Sequence, residues 1–319
     1  MLAATRRLPR STCCTARRLP LPPLCARSAS TDASAVIAAL DAAGIASTTK
    51  PGRVKARSRD YYWYSPVLRA ALDDCVADVI VSPTSTDEVV AVARLCFEHG
   101  VPITCRGAGT GNYGQAVPLR GGVVLDLKGM VGYELVGEGV VRAQAGTLMG
   151  AMESGLRELG HELRFFPSTV AQATIGGFVA GGSCGVGSIN YGVLRDPGNV
   201  AALKVVTMEA EPRVLDLRGD DALALIHAYG TNGVITEVEM PLAPAQSWLE
   251  VAATFPDLAT AGAAAVAIAE SPALAKRQIC TLAAPIPALP GFEGLAREVT
   301  NAGPRKPAAL QSTSRVWLC

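Results

Sequence analysis

Apolar residues in the first half of the chain alternate between short β-branched runs and a stretch with helical spacing. The run VADVIVSP (Val76–Pro83) predicts a strand that stops at the proline. Ser85 and Glu88 then stand at capping-box spacing, and apolar residues recur every three or four positions until Gly100. A second β-branched run, VPITCR (101–106), follows the glycine. The pattern therefore predicts a strand–helix–strand unit.

The same analysis, carried to Leu282, gives helices and strands in irregular order. It predicts helices over Ser34–Ala43, Thr147–Leu159, Asp220–Tyr229 and Pro256–Glu270. It predicts strands within Val123–Leu127, Val140–Gly146, Asn199–Met208, Arg213–Leu217, Gly230–Leu242, Trp248–Phe255 and Lys276–Leu282. Pro241 and Pro244 mark the end of a domain.

Three segments have weaker patterns. Residues 50–64 are basic and then aromatic, and they fit either an arm that crosses the fold or a surface loop. The alanine-rich helix 256–270 could serve a membrane or a partner, but it has few large apolar residues, so we expect it to pack on a small sheet. Residues 284–319 are proline-rich without a sustained period, which predicts an irregular tail.

A glycine-rich loop follows the second predicted strand. In RGAGTGNYG (Arg106–Gly114), three glycines fit the pattern G-x-G-x-x-G. In a nicotinamide enzyme such glycines open a helix whose N-terminal amides receive a pyrophosphate. Here Pro118, Gly121 and Gly122 forbid a sustained helix, and another strand comes next. The motif therefore predicts a strand–loop–strand unit, either an anion-binding nest of backbone amides or an ordinary glycine turn.

A second glycine-rich segment spans Phe165–Gly192 and holds seven glycines between Gly176 and Gly192. It is too polar and glycine-rich for a core and too apolar for a linker. It suits backbone wrapped closely around a large, mostly apolar ligand with polar edges.

Charge is unevenly placed along the chain, whose formal net charge is +1. Six arginines and no acid precede Asp32, and prolines interrupt the leader, so residues 1–30 predict a mitochondrial transit peptide. The alternatives are another organelle or a basic tail on a cytoplasmic protein. Without those arginines, 23 basic residues stand against 28 acidic ones, which argues against a nucleic-acid binder. No run of 18 apolar residues predicts a membrane span.

Cysteines and histidines give little chemistry. Nine cysteines include no C-x-x-C pair, so we expect neither a metal site nor a disulfide framework. His99 is expected to end a helix and His227 to lie within one, both as capping or surface residues. His161, just before the second glycine segment, is the one histidine that merits a test as a base. No catalytic residue is assigned.

Four segments occur in a family's order: SPTSTDEV (82–89), RGAGTGNYG (106–114), PSTVAQATIGGFVAGG (167–182) with INYG (189–192), and GTNGVITEVEMPL (230–242). Together they resemble the FAD-linked oxidases with a PCMH-type, or vanillyl-alcohol-oxidase-like, FAD-binding domain. The resemblance covers about residues 75–244. It looks most like the branch that includes a glycolate oxidase subunit and D-lactate dehydrogenase.

In that family two α+β subdomains enclose an FAD. The resemblance implies that the amides of one loop take the pyrophosphate beside Arg106, namely those of Gly107, Gly109, Thr110, Gly111 and Asn112. It implies a ribityl and isoalloxazine wall from Pro167, Ser168, Thr174, Gly176, Gly177 and Gly181, continued by Ser188, Tyr191 and Gly192. The adenosine end would lie near Gly233, Val234 and Ile235. Some members attach the flavin to a histidine of the first loop; Thr110 and Asn112 stand there instead, so we expect non-covalent FAD.

The resemblance also implies a domain order. An arm (31–74) would follow the transit peptide and precede the FAD-binding domain (75–244), with an incomplete α+β substrate or cap domain (245–283) before the tail (284–319). The implied function is oxidation of a small D-2-hydroxy acid of the lactate, glycolate or 2-hydroxyglutarate class, by hydride transfer to flavin N5 and onward to an unknown acceptor.

Two other functions remain open. One is a non-catalytic FAD-binding module, completed by a partner subunit or another copy of the chain. The other is a nicotinamide-only dehydrogenase.

Overall fold

The fold is known from a computed structural model that describes residues 33–249, 251–282 and 314–318. The proposed transit peptide, residues 1–30, and most of the predicted tail lie outside the described residues. No helix in the described part of the chain combines the length and the apolar run needed to cross a bilayer.

The N-terminal half forms a four-stranded sheet covered by helices. After α1 (Ala33–Ala42), β1 (Ser47–Thr48), α2 (Pro51–Arg57) and α3 (Pro66–Leu72) come β2 (Val79–Val81), α4 (Thr86–Glu98), β3 (Ile103–Arg106) and β4 (Val123–Asp126). The strand order is β1-β2-β4-β3, with β4 parallel to both β2 and β3. The predicted strand–helix–strand unit and the strand–loop–strand around the first glycine loop are confirmed.

Helix α4 starts as the capping residues predict. The Ser85 hydroxyl accepts from the Glu88 amide at 3.2 Å. The Glu88 carboxylate accepts from the amide of Thr84 at 2.7 Å, one residue before the position expected in a capping box. Val89, Val92 and Cys96 are buried on the inner face of the helix, as their spacing requires.

The segment predicted as an arm is part of this first sheet. β1 pairs with β2 in antiparallel fashion, and Val36 and Leu40 of α1 are buried in the core beside α4. Residues 50–64 form α2 and a 3₁₀ turn, Tyr61–Tyr64. Within the segment predicted as an arm, β1 is the edge strand of this sheet, beside β2.

The second half builds a larger antiparallel sheet. It contains β5 (Tyr133–Gly137), β6 (Val140–Gln144), α5 (Met149–Glu158), β7 (His161–Leu163), α6 (Ile175–Gly181), α7 (Ser188–Tyr191), β8 (Ala202–Val206), β9 (Val214–Arg218) and β10 (Val234–Pro244). The order is β5-β6-β10-β8-β9, and β7 pairs with the end of β10. Strands β8 and β9 form the predicted hairpin. The inner face packs on α5 and α6 through residues such as Met149, Leu203 and Val238.

The helix predicted over Asp220–Tyr229 is wrong. A 3₁₀ helix covers Gly219–Ala224, and a turn follows in which His227 and Tyr229 have positive φ angles of 66° and 51°. The amides of His227 and Tyr229 donate to carbonyls of α6 instead of continuing a helix. His227 is therefore a turn residue.

A third unit, the C-terminal unit, comprises β11 (Val251–Phe255), α8 (Leu258–Glu270), β12 (Ile279–Leu282) and β13 (Ser314–Leu318). Its strand order is β11-β13-β12, all antiparallel neighbours, with α8 packed on the sheet. The predicted packing of the alanine-rich helix is confirmed. The prediction of an irregular tail is wrong for the five residues of β13. This strand is the central strand of the sheet, between β11 and β12.

Candidate flavin site

A cleft lies between the two large sheets. Its volume is about 400 Å³. The walls come from the loop after β3, from residues 167–183 including α6, and from the start of β10. Both glycine-rich segments found in the sequence thus meet at one site.

The first glycine loop presents unpaired backbone amides to this cleft. Within the described residues, the five amides of Ala108–Asn112 have no protein acceptor. Beneath them the guanidinium of Arg106 is buried and donates to the carbonyls of Arg59 and Ala108. Its Nε atom is buried without a partner in the described part of the chain. Free amides above a buried cation make a site for an anion.

Residues 59–62 brace the loop from outside. The amide of Tyr61 donates to the carbonyl of Gly111 at 2.7 Å. The Asp60 carboxylate, which is buried, accepts from the amides of Tyr62 at 2.8 Å and Ala116 at 3.5 Å. Sequence analysis did not identify Asp60, because it stands in a basic and aromatic stretch without periodicity.

Burial shifts the pKa values of the two charged groups at the floor of the cleft, Asp60 and Arg106. Burial raises the pKa of Asp60, against the opposing effect of the amides that it accepts from and of Arg106. Burial, together with nearby Arg57, lowers the pKa of Arg106, but a guanidinium stays protonated at physiological pH. The floor therefore holds a permanent positive charge close to the free amides.

Several glycines serve close approach of one chain segment to another. A Cβ at Gly107 would overlap the hydroxyl of Thr174, which caps α6 by accepting from the amide of Gly177 at 3.3 Å. A Cβ at Gly176 would lie 2.6 Å from the Cβ of Ala145. Gly107 lets the first glycine loop approach α6, and Gly176 lets α6 approach the end of β6. Sequence alone did not separate these roles from contact with a ligand.

Tyr229, Gly230, Cys105 and Ile235 also line the cleft. Burial raises the pKa of the Cys105 thiol to about 12, so this thiol is neutral. No histidine lines the cleft in the described part of the chain; His161 lies in β7, paired with Pro244. The test that the sequence suggested for His161 therefore loses its basis.

Thirteen of the eighteen predicted cofactor residues line the cleft. The five that do not are Ser188, Tyr191, Gly192, Gly233 and Val234. Tyr191 packs edge-on against Phe165 with 5.8 Å between ring centroids, and Val234 is buried in the core of the first sheet.

The chemistry of the cleft suits a flavin dinucleotide. The central amides and Arg106 match a pyrophosphate, while the flanking walls are mostly uncharged and offer backbone, aromatic and aliphatic surface.

Comparison with known proteins identifies a related domain. Residues 77–216 match the family described as FAD binding domain. A D-lactate dehydrogenase from Anaerostipes hadrus is 36% identical over 179 residues, which are 53% of this chain and 37% of that protein. Glycolate oxidase subunit GlcD from Bacillus subtilis is 32% identical over 176 residues, 52% of this chain and 37% of that protein.

A D-2-hydroxyglutarate dehydrogenase from Pseudomonas putida is 39% identical over 166 residues, 50% of this chain and 16% of that protein. The chain thus spans 37% or less of the length of these three relatives. Among solved structures, alkyldihydroxyacetonephosphate synthase matches with a TM-score of 0.69 at 20% identity, over 85% of this chain and 52% of that chain. At that identity the likeness shows the fold alone.

Proposed function

We propose that the chain, whose residues 77–216 match the family described as FAD binding domain, holds FAD non-covalently in this cleft as part of an oxidoreductase for small D-2-hydroxy acids. The observation that carries the proposal is the row of free amides at Ala108–Asn112 above buried Arg106. The relatives named for D-lactate, glycolate and D-2-hydroxyglutarate support the substrate class.

The loop and its neighbours bind and orient the cofactor. The amides of Ala108–Asn112 hold the pyrophosphate, and Arg106 adds a fixed positive charge below it. The first loop has Thr110 and Asn112 where a histidine would make a covalent bond, which supports a dissociable cofactor. Of the predicted cofactor residues, those that line the cleft contact the cofactor; Ser188, Tyr191, Gly192, Gly233 and Val234 do not line it.

The end of the cleft at Pro167 and Ser168 faces substrate. Phe166 precedes Pro167 in the chain, and its ring contacts the guanidinium of Arg277, a residue of the C-terminal unit. When bound, FAD supplies a hydride acceptor at N5. The described residues supply positioning and exclusion of water there, and we assign no residue as the base that takes the substrate proton.

We also propose a mitochondrial location. Two relatives carry that location in their names, a probable D-lactate dehydrogenase of Danio rerio at 29% identity and a D-2-hydroxyglutarate dehydrogenase of Bos taurus at 30%. The arginine-rich, acid-free leader supports the same location. Glycolate oxidase subunit GlcD is by name a subunit, which supports a partner chain as a further expectation.

Anaerobic flavin reduction tests the function. The purified full chain is loaded with FAD, washed, and mixed with D-lactate, glycolate or D-2-hydroxyglutarate, with L-lactate as a control. Loss of the flavin absorbance with one of the first three, and not with L-lactate, is the expected result. Bound FAD that none of the acids bleaches would favour the non-catalytic module. A folded chain that retains no FAD would contradict both functions.

A further inference from the structure

Residues 59–61, which we call the clasp, contact both glycine-rich segments that line the cleft. On the side of the first glycine loop, the carbonyl of Arg59 accepts from the buried guanidinium of Arg106. The amide of Tyr61 donates to the carbonyl of Gly111 at 2.7 Å. The clasp therefore holds the first loop both at its buried charge and at its backbone.

The second glycine-rich segment meets the clasp at one side chain. The Tyr61 hydroxyl donates to Oε1 of Gln172 at 3.0 Å. Thr169 and Ala173, on either side of Gln172 in the chain, line the cleft, whereas Tyr61 and Gln172 do not. Tyr61 thus joins the two segments through its backbone and its hydroxyl, without occupying the space for a cofactor.

The ring of Tyr61 is held in place by its neighbours in the turn. Tyr62 is buried, and its hydroxyl donates to Asp73 at 2.9 Å, which fixes the turn to the end of α3. The rings of Trp63 and Tyr64 meet the Tyr61 ring edge-on, with centroids 6.4 and 6.1 Å away. With the ring so anchored, the bond to Gln172 can break without unfolding of the turn.

This bond has the strength of a local and reversible contact. Gln172 is exposed and Tyr61 is half-buried. A single hydrogen bond between neutral groups changes an equilibrium or rate constant by about threefold to tenfold. That effect is small beside the stability of a domain, but it is large enough to change how often two neighbouring segments separate.

We propose that the hydrogen bond from Tyr61 to Gln172 keeps the two glycine-rich segments together, and that its opening sets the rates at which FAD enters and leaves the cleft. The inference rests on the proposed cofactor site. Because neither residue lines the cleft, the bond forms in the free and in the loaded chain alike. Its loss therefore speeds entry and exit together and leaves their ratio, the dissociation constant, nearly unchanged.

Stopped-flow flavin fluorescence on the full chain tests the proposal. We expect Tyr61→Phe and Gln172→Ala each to raise the association and dissociation rate constants for FAD about threefold to tenfold. The dissociation constant should stay within about twofold. Tyr64→Phe is the matched control, because it removes the hydroxyl of an exposed tyrosine in the same turn. It should change neither rate constant.

A double variant shows whether the two side chains act through one bond. Tyr61→Phe combined with Gln172→Ala should be no faster than the faster single variant. Unchanged rate constants in both single variants would overturn the proposal. So would faster dissociation with an equal loss of affinity and no change in association, since that pattern belongs to a contact with the bound cofactor.

Hydrogen exchange tests the clasp without FAD. The amides of Gln172 and Ala173 both donate to the carbonyl of Thr169 at 2.9 Å, in the turn that Tyr61 holds. These amides should exchange faster in Tyr61→Phe than in the parent and in Tyr64→Phe. Unchanged exchange there would overturn the clasp whether or not FAD binds. A folded parent chain that binds no FAD would instead contradict the proposed function.

Discussion

Gly109 and Gly139 have almost the same left-handed backbone, with φ angles of 69° and 68°. Their surroundings differ. A Cβ at Gly109 would overlap the guanidinium of Arg106, whereas a Cβ at Gly139 would meet nothing within 4 Å. Each glycine is needed for its conformation, but only Gly109 also makes room for a buried charge beneath the anion nest.

This pair gives a matched test of the loop. Gly109→Ala should lower the affinity for FAD at least tenfold, because either the loop or Arg106 must move. Gly139→Ala should cost about 1 kcal/mol of unfolding free energy through its backbone and leave FAD affinity unchanged. Fluorescence titration and thermal unfolding measure the two effects. Equal FAD affinity in the two variants would show that Arg106 and Gly109 do not set the geometry of the nest.

Sequence could find these glycines but not their separate uses. A glycine can be required by a positive φ angle, by close approach of the backbone to a ligand, or by close approach of two chain segments. The sequence shows the same residue in all three cases. Gly107 and Gly176 turn out to contact protein, and Gly181 has open space. Asp60 was missed because one of its partners, the amide of Ala116, becomes its neighbour only in the folded chain.

At the scale of elements, the outer face of the second sheet carries a row of charges across four strands. Glu239 of β10 is directly opposite Arg142 of β6, which donates to it at 2.6 and 2.9 Å. On the other side Ala202 of β8 stands opposite Glu239, and Arg218 of β9 stands opposite Ala202. Because Ala202 is small, Arg218 reaches across it to Glu239 at 3.0 Å.

This row predicts how stability depends on pH. Burial raises the pKa of Glu239, but the hydrogen bonds from Arg142 and Arg218 outweigh burial, and the net shift is downward. A lowered pKa in the folded state gives stability that is present above the unfolded value, about 4.3, and is lost as pH falls through the folded value. Glu239→Gln should therefore cost about 1–2 kcal/mol near pH 7.

Urea unfolding at several pH values measures this effect. The difference between parent and Glu239→Gln should stay constant above about pH 5 and shrink toward zero as the carboxyl protonates in acid. Glu134→Gln is the control, because Glu134 is 66% exposed and pairs with Arg142 at 3.3 Å. Its effect should be below about 0.5 kcal/mol. A difference for Glu239→Gln that grows in acid would contradict the assigned direction.

Elements with a sustained period were predictable, and several short ones were not. α4 has thirteen residues, a capping serine and a clear apolar face, so its pattern identified it. α6 has seven residues, three of them glycine, and depends on its Thr174 cap and on packing against Ala145. The segment 220–229 has helical spacing, but bonds from its amides to α6 outweigh that local preference.

At the scale of the whole molecule, the strands that sequence analysis missed are placed by pairing with segments far away in the sequence. β1 joins the first sheet from the segment predicted as an arm, and β13 enters the C-terminal sheet between β11 and β12. A strand of two or five residues has no period that identifies its partner, because the partner is set by an open edge elsewhere in the fold.

The C-terminal unit is joined to the second sheet by a buried arginine. Arg277 has a side chain that is 10% exposed, and its guanidinium lies 4.3 Å from the Phe166 ring centroid and 5.5 Å from that of Trp248. It also pairs with Glu153 at 3.3 Å. The carbonyl of Arg277 accepts from the amide of Gly187 at 3.2 Å, which ties the second glycine segment to the same junction.

Arg277→Met should loosen this junction without emptying the cleft. Methionine keeps apolar contact with Phe166 and Trp248, so the variant removes chiefly the charge and the hydrogen bonds to Glu153 and Leu163. Arg157 still pairs with Glu153 and Glu162, at 3.1 and 2.6 Å, and limits the loss to about 1–3 kcal/mol.

Because that loss falls on the contacts of one unit, it should appear as local opening rather than global unfolding. Limited proteolysis should cut the variant faster near exposed Leu249, and amides of α8 should exchange faster with solvent. FAD affinity should stay within about threefold, since Arg277 does not line the cleft. Arg213→Met, which removes an exposed pair with Glu209, controls for loss of a surface charge. If both variants are cut at the parent's rate, the junction does not depend on Arg277, and apolar contact alone must hold the C-terminal unit against the flavin domain.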